Sequence, residues 1–145
     1  MRGILRDTNV LSELMRAKPA AELVDWFERQ PDASFFVCAI TRSEIMLGIA
    51  LLPAGKRREG LAAAAEEMFS EDFRERCLSF DERCTTEYAV LVAARVRQGH
   101  SISTEDAQIA AVALRHKLPL ATRNVKDFKS IEGLIVLNPW INSDQ

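Results

Sequence analysis

The sequence predicts a three-layer α/β/α fold built on a central parallel sheet of four to five strands, and two observations carry that expectation. Short apolar runs alternate with segments whose apolar residues recur at helical spacing, as in chains joined by right-handed crossovers. The runs are also continuous rather than alternating, as in strands covered by helices on both faces. With 145 residues, 48% apolar and 28% charged, the chain is expected to be one domain, 1–145, with a substantial core.

The first strand is Gly3-Ile4-Leu5-Arg6, ending abruptly at Asp7. Thr8-Asn9 follow, then a helix carrying Val10, Leu11, Leu14 and Met15 that stops before Lys18-Pro19, since a residue before proline leaves the helical region. A second helix spans 20–29, with Leu23, Val24, Trp26 and Phe27, and Gln30-Pro31-Asp32 is a turn. Residues 34–39 form the second strand. Thr41-Arg42-Ser43-Glu44 opens a helix through Ile45, Leu47 and Leu52, broken by Pro53-Ala54-Gly55. Residues 56–69 are helical, and Leu78-Ser79-Phe80 is a short third strand ending at Asp81. Residues 82–98 place Tyr88, Leu91, Val92 and Val96 on one stripe, stopped by Gly99. Ser103 opens a helix with Ile109, Ala110, Ala113 and Leu114 inward. The fourth strand, 118–122, carries Pro119 at its start, where proline is tolerated. Arg123 to Phe128 is a loop or single turn, and Leu134 to Leu137 is the fifth strand, followed by Asn138-Pro139-Trp140 and a polar tail.

Composition excludes several classes. A net charge of −2 provides no basic coat for nonspecific nucleic-acid binding. No apolar run approaches the roughly 20 residues that span a membrane. Met1-Arg2 lead straight into the first strand, so no signal peptide is expected. Cys38, Cys77 and Cys84 are odd in number and lack Cys-x-x-Cys spacing; buried free thiols in a reducing cytoplasm are expected. His100 and His116 are far apart, which gives no support to a zinc site or a histidine-based triad. The glycine-rich loop of nucleotide triphosphatases is absent. Chemistry therefore falls to carboxylates.

In a parallel sheet, strand C-termini and the starts of the following helices share one edge, where ligands bind. Asp7, Glu44, Asp106, Asn124 and Asp127 all map there. Each has a purely structural account. Asp7 is suited to be an N-cap. Thr41-x-x-Glu44 reads as a capping box in a first helical turn, and Ser103-x-x-Asp106 as a weaker one. That account is poorest for Asp106, which shares the stripe of Ile109, Ala110, Ala113 and Leu114 while Glu105 points to solvent. A carboxylate turned toward a sheet edge is costly unless paired or metal-bound. Converging carboxylates raise one another's pKa values, and a hard cation, Mg²⁺ or Mn²⁺, relieves that. The chemistry implied is metal-assisted phosphodiester hydrolysis.

Four blocks in this order, Asp7-Thr8-Asn9, Ser43-Glu44-Ile45-x-x-Gly48, Asp106-x-x-Ile109-Ala110-Ala111 and Thr122-Arg123-Asn124-x-x-Asp127-Phe128, resemble PIN-domain ribonucleases. More narrowly the chain resembles VapC-type toxins of bacterial toxin–antitoxin pairs, and among them FitB-like members with a late Asn-Pro-Trp. The resemblance covers nearly the whole chain. It implies a Mg²⁺- or Mn²⁺-dependent endoribonuclease, usually a homodimer, restrained by a cognate VapB-like antitoxin that also supplies contact with operator DNA. It implies that Asp7, Glu44 and Asp106 are the core acids and metal ligands. Asn124 stands where many relatives carry a fourth acid, and Asp127 either compensates as a catalytic acid or caps a turn. Thr8 and Asn9 match positions that orient Asp7 or a water.

Arg123, Lys126 and Lys129 lie beside the acids as candidates for substrate phosphates. Lys56-Arg57-Arg58 reads as a solvated helix start, and Trp26 and Trp140 as packing or dimer residues. Arg6 departs from the family pattern, where an apolar residue is usual. Alternation puts it on the face opposite Asp7, where a guanidinium is unwelcome: it either snorkels to the edge, pairs with an acid, or weakens the site or fold, and Arg6→Leu is expected not to lower thermal stability. Two other readings stay open: an aspartate-nucleophile phosphohydrolase, disfavoured by Asn9 where a second acid is needed, and a PIN-like interaction module that has lost activity and works only through its partner.

Overall fold

The computed structural model describes residues 2–141; Met1 and the polar tail at 142–145 lie outside them. Strands β1 (Arg2–Arg6), β2 (Ala33–Cys38), β3 (Cys77–Leu78), β4 (Leu120–Ala121) and β5 (Val136–Leu137) make one parallel sheet in the order β3-β2-β1-β4-β5. The helices are α1 (Thr8–Leu14), α2 (Ala21–Glu28), α3 (Ala39–Ala50), α4 (Lys56–Glu67), α5 (Thr85–Arg97), α6 (Thr104–His116) and the single turn α7 (Val125–Phe128). A π-helical turn (Met68–Asp72) extends α4, and a 3₁₀ turn (Glu82–Cys84) leads into α5. The three-layer α/β expectation holds. Among the described residues no helix is long and apolar enough to cross a membrane.

β1 is central because its neighbouring residues are apolar on opposite faces. Ile4 and Leu5 are both fully buried. Ile4 packs with Val10 of α1 and with Leu23, Trp26 and Phe27 of α2. Leu5 packs with Leu91 of α5 and with Ile109, Ala110 and Val112 of α6. Four alanines of α6 (107, 110, 111 and 113) are fully buried, and their small side chains let this helix lie deep in the core. Close approach also explains Gly3, where a Cβ would stand 2.5 Å from Leu118 Cδ2. Strand order reverses on either side of β1, so the crevice above β1 and β4 is the topological switch point of the sheet.

Two expectations need correction. Val96 is 71% exposed, and Arg95 occupies the buried position one turn after Leu91. Arg6 does lie opposite Asp7, but it has native partners: its guanidinium sits 4.2 Å from the ring centroid of Phe27, 4.1 Å from Phe35 and 5.9 Å from Phe73. Burial lowers its pKa to about 10, opposed by the charge of Asp72. The cation lies against ring faces rather than a carboxylate, although among the described residues its Nε has no hydrogen-bond partner; the ring contacts remove the basis for expecting a harmless Arg6→Leu.

Candidate active site

β1 delivers Asp7 to the switch point, where its backbone turns from extended (φ −71°, ψ 163°) into α1. Asp7 is both the helix N-cap and the residue that ends the central strand, so the two accounts of it coincide. It is 2% exposed. Oδ1 accepts from the Thr8 amide at 2.8 Å. Oδ2 accepts from Thr122 Oγ1 at 2.7 Å and from Asn9 Nδ2 at 3.2 Å. Asn9 is itself held, accepting from the Arg123 amide at 3.1 Å, and the Asn124 amide donates to Thr122 Oγ1 at 3.0 Å. The end of β4 and the start of α1 thereby clamp one carboxylate from two sides.

Glu44 lies elsewhere on its helix than its sequence suggests. α3 starts at Ala39 with Cys38 as N-cap, and no side chain caps it. Thr41 is therefore fully buried inside the helix, and Glu44 belongs to the second turn. The Thr41–Glu44 capping box is not formed. The Thr8 hydroxyl instead donates to Glu44 Oε1 at 2.8 Å and stands 3.1 Å from Thr41 Oγ1. The helix begins early because the strand run passes into Ala39-Ile40, which continue helically without a polar break.

Asp106 is half-buried in the first turn of α6. Ser103, the N-cap, accepts from its amide at 3.1 Å, so the expected weak cap exists. The acids sense one another. Burial raises the Asp7 pKa to about 6, opposed by hydrogen bonds from Thr122 and Thr8 and reinforced by the charges of Asp106 and Glu44. Burial also raises Asp106, opposed by Ser103 and reinforced by Asp127, Glu44 and Glu105. Among the described residues none of Asp7, Glu44, Asp106 or Asp127 forms a salt bridge.

Asp127 is exposed on α7, as are Asn124 and Lys126 beside it. Arg123 is exposed too, its guanidinium 5.1 Å from the Trp140 ring centroid. Trp26 is buried in the core and Trp140 half-buried under Arg123, which agrees with packing roles. Cys38 and Cys84 are buried free thiols, while Cys77 is only half-buried. Thr122 and Thr41 were legible only as part of a motif and of a cap. The signal for both is a hydroxyl residue directly after an apolar run, fully buried in the structure.

Among the described residues no three His, Cys, Asp or Glu side chains close on one point as a ready-made cage. Mg²⁺ does not need one, since it retains several waters and takes one or two carboxylates. The donors here are hard oxygens bearing uncompensated negative charge, a set that fits Mg²⁺ or Mn²⁺ and suits softer metals poorly.

A parallel α/β domain with an acid-lined switch point, its central aspartate clamped from both flanking elements, defines the class: the chain belongs to the PIN domain family, whose pattern it matches over residues 4–134. Among individual proteins it is similar to the plasmid stability protein StbB of Pseudomonas syringae pv. tomato, with 42% identity over 94% of this chain and 98% of StbB. It is 36% identical to the VapC ribonuclease Y4jK of Sinorhizobium fredii, over 94% and 97% of the two chains. It is also 36% identical to the toxin FitB of Neisseria gonorrhoeae, over 94% and 98%. Its fold superposes on the crystal structure of FitAcB from Neisseria gonorrhoeae with a TM-score of 0.87 and 35% identity, covering 96% of this chain and 99% of that one.

Proposed function

We propose that this protein is a Mg²⁺- or Mn²⁺-dependent endoribonuclease that serves as the toxin of a type II toxin–antitoxin pair. The observation that carries the reading is the buried Asp7 at the switch point, its pKa raised to about 6 in the company of Asp106 and Glu44. A carboxylate so placed stores unfavourable charge that a divalent cation would compensate. Similarity to a ribonuclease, a toxin and a plasmid stability protein over nearly the full chain supports the same conclusion.

In this reading Asp7, Glu44 and Asp106 hold the cation, Asp127 is a further catalytic acid beside them, and residues 1–145 act as one domain. The ion, when bound, offsets charge on the phosphodiester and makes a water more acidic. The chain's own residues do the rest. Thr8, Asn9 and Thr122 fix the orientation of Asp7. Glu44 is oriented through Oε1 by the Thr8 hydroxyl. Arg123 and Lys126 lie at the open side, where their charges would meet substrate phosphates; Asn124 fixes the turn between them through its amide. A VapB-like antitoxin is the expected partner, with operator DNA reached through it, and a homodimer in the cytoplasm is the expected form.

The test is cleavage of RNA by the partner-free protein in Mg²⁺, Mn²⁺ or EDTA, with Asp7→Asn and Asp106→Asn beside the wild type. Cleavage that needs the cation and disappears in both folded variants is expected. Cation-independent cleavage surviving either substitution would overturn the reading.

A further inference from the structure

Arg95 stands apart from the acids, on α5, yet the structure gives it a specific task. It is 5% exposed and, among the described residues, has no carboxylate partner. Its acceptors are the Asp127 carbonyl at 2.9 Å, Ser130 Oγ at 2.8 Å and the Ser101 carbonyl at 3.2 Å. Among the described residues its Nε has no hydrogen-bond partner. An apolar residue would fill this core position without burying a charge, so packing does not account for a guanidinium here.

The acceptors belong to two segments. Ser101 lies in the connection from α5 to α6, two residues before the Ser103 N-cap and five before Asp106. Asp127 and Ser130 belong to α7 and the residues after it. A single-turn helix leaves carbonyls without helical partners, and the planar fork of an arginine can meet several at fixed angles as an ammonium cannot. We infer that Arg95 is a positioning residue for the acid edge: its guanidinium ties the entry to α6, which carries Asp106, to the turn that carries Asp127, and so sets the separation of those two carboxylates. The inference rests on the nuclease reading above for its kinetic consequence, but the geometry it asserts can be read without catalysis.

Partner-free Arg95→Lys keeps the charge and loses the fork. It is expected to stay folded by circular dichroism, to bind Mn²⁺ about tenfold more weakly in calorimetry, and to lose about tenfold in kcat with KM for RNA little changed. Asp127→Asn should reduce kcat strongly in the wild-type background and much less in Arg95→Lys, because the lysine variant has already released Asp127 from its place. Should Arg95→Lys not fold, Ser130→Ala serves instead: Ser130 is exposed, and losing this one acceptor is expected to weaken Mn²⁺ binding by about threefold. Wild-type Mn²⁺ affinity in the folded variant used, or independent multiplicative effects of Arg95→Lys and Asp127→Asn, would overturn the inference. Full cleavage activity in Asp7→Asn would instead overturn the nuclease reading, leaving the Mn²⁺ comparison to judge Arg95.

Discussion

Replacing Asp7 by asparagine should make the protein more stable while it abolishes cation binding at the acid edge. In the fold this carboxyl ionises near pH 6 instead of 3.8, chiefly through burial. That interval corresponds to about 3 kcal/mol against the folded state once the group is charged. The sign follows from proton linkage. Between the two pKa values the folded state holds the proton and the unfolded state does not, so wild-type stability falls as pH rises from about 4 to about 6 and is then level. Asparagine is close in shape and neutral, and with its oxygen kept toward Thr122 and Asn9 its amide faces the Thr8 N–H, a loss of about 1 kcal/mol. The net expectation is a gain of about 2 kcal/mol at pH 7.5 and almost no difference at pH 4.5. Urea unfolding of both proteins in EDTA at the two pH values measures this, with the gain at pH 7.5 equivalent to about 4–8 °C in melting temperature. Adding Mn²⁺ at pH 7.5 should stabilise the wild type and leave the variant unchanged. An Asp7→Asn protein no more stable than wild type at pH 7.5, or one whose advantage is the same at pH 4.5, would show that Asp7 is not held under electrostatic stress.

Thr122→Val removes the donor to Asp7 Oδ2 and the acceptor of the Asn124 amide; a loss of about 2 kcal/mol in urea is expected, together with a further rise in the Asp7 pKa seen by carboxyl NMR, and an unchanged pKa would contradict the clamp. Arg6→Lys puts a compact ammonium where a planar cation lies against the perpendicular rings of Phe27 and Phe35. A stability loss of about 1–2 kcal/mol is expected, and an unchanged melting temperature would mean that the stacking contributes nothing.

What could be read from the sequence was what neighbouring residues decide. Ile4, Leu5 and Asp7 predict a buried strand ending in an acid, and Ser103 predicts the start of α6; both are found. Asp106 stands out in the sequence because it lies on the face of a helix whose other members are apolar. What could not be read depends on partners distant in the chain. The box around Arg6 is assembled from positions 27, 35 and 73, so local alternation reveals only that the arginine is awkward. Arg95 presents as a charge beside the apolar Val96, and only the phase of α5 against α6 decides which is buried. The Thr41 box failed because an unbroken Cys38-Ala39-Ile40 starts the helix early, without a side chain to mark it.

The clamp on Asp7 also orders events in time. Thr122 lies 115 residues beyond the carboxylate it holds, and β4 pairs directly with β1 in the middle of the sheet. A chain emerging from the ribosome has its first aspartate almost at once, but β1 keeps one side open until β4 arrives. Contacts so distant in sequence form late and slowly. The acid edge is therefore completed only when nearly all of the chain is available, and fragments that end before β4 carry Asp7, Glu44 and Asp106 without the clamp that organises them.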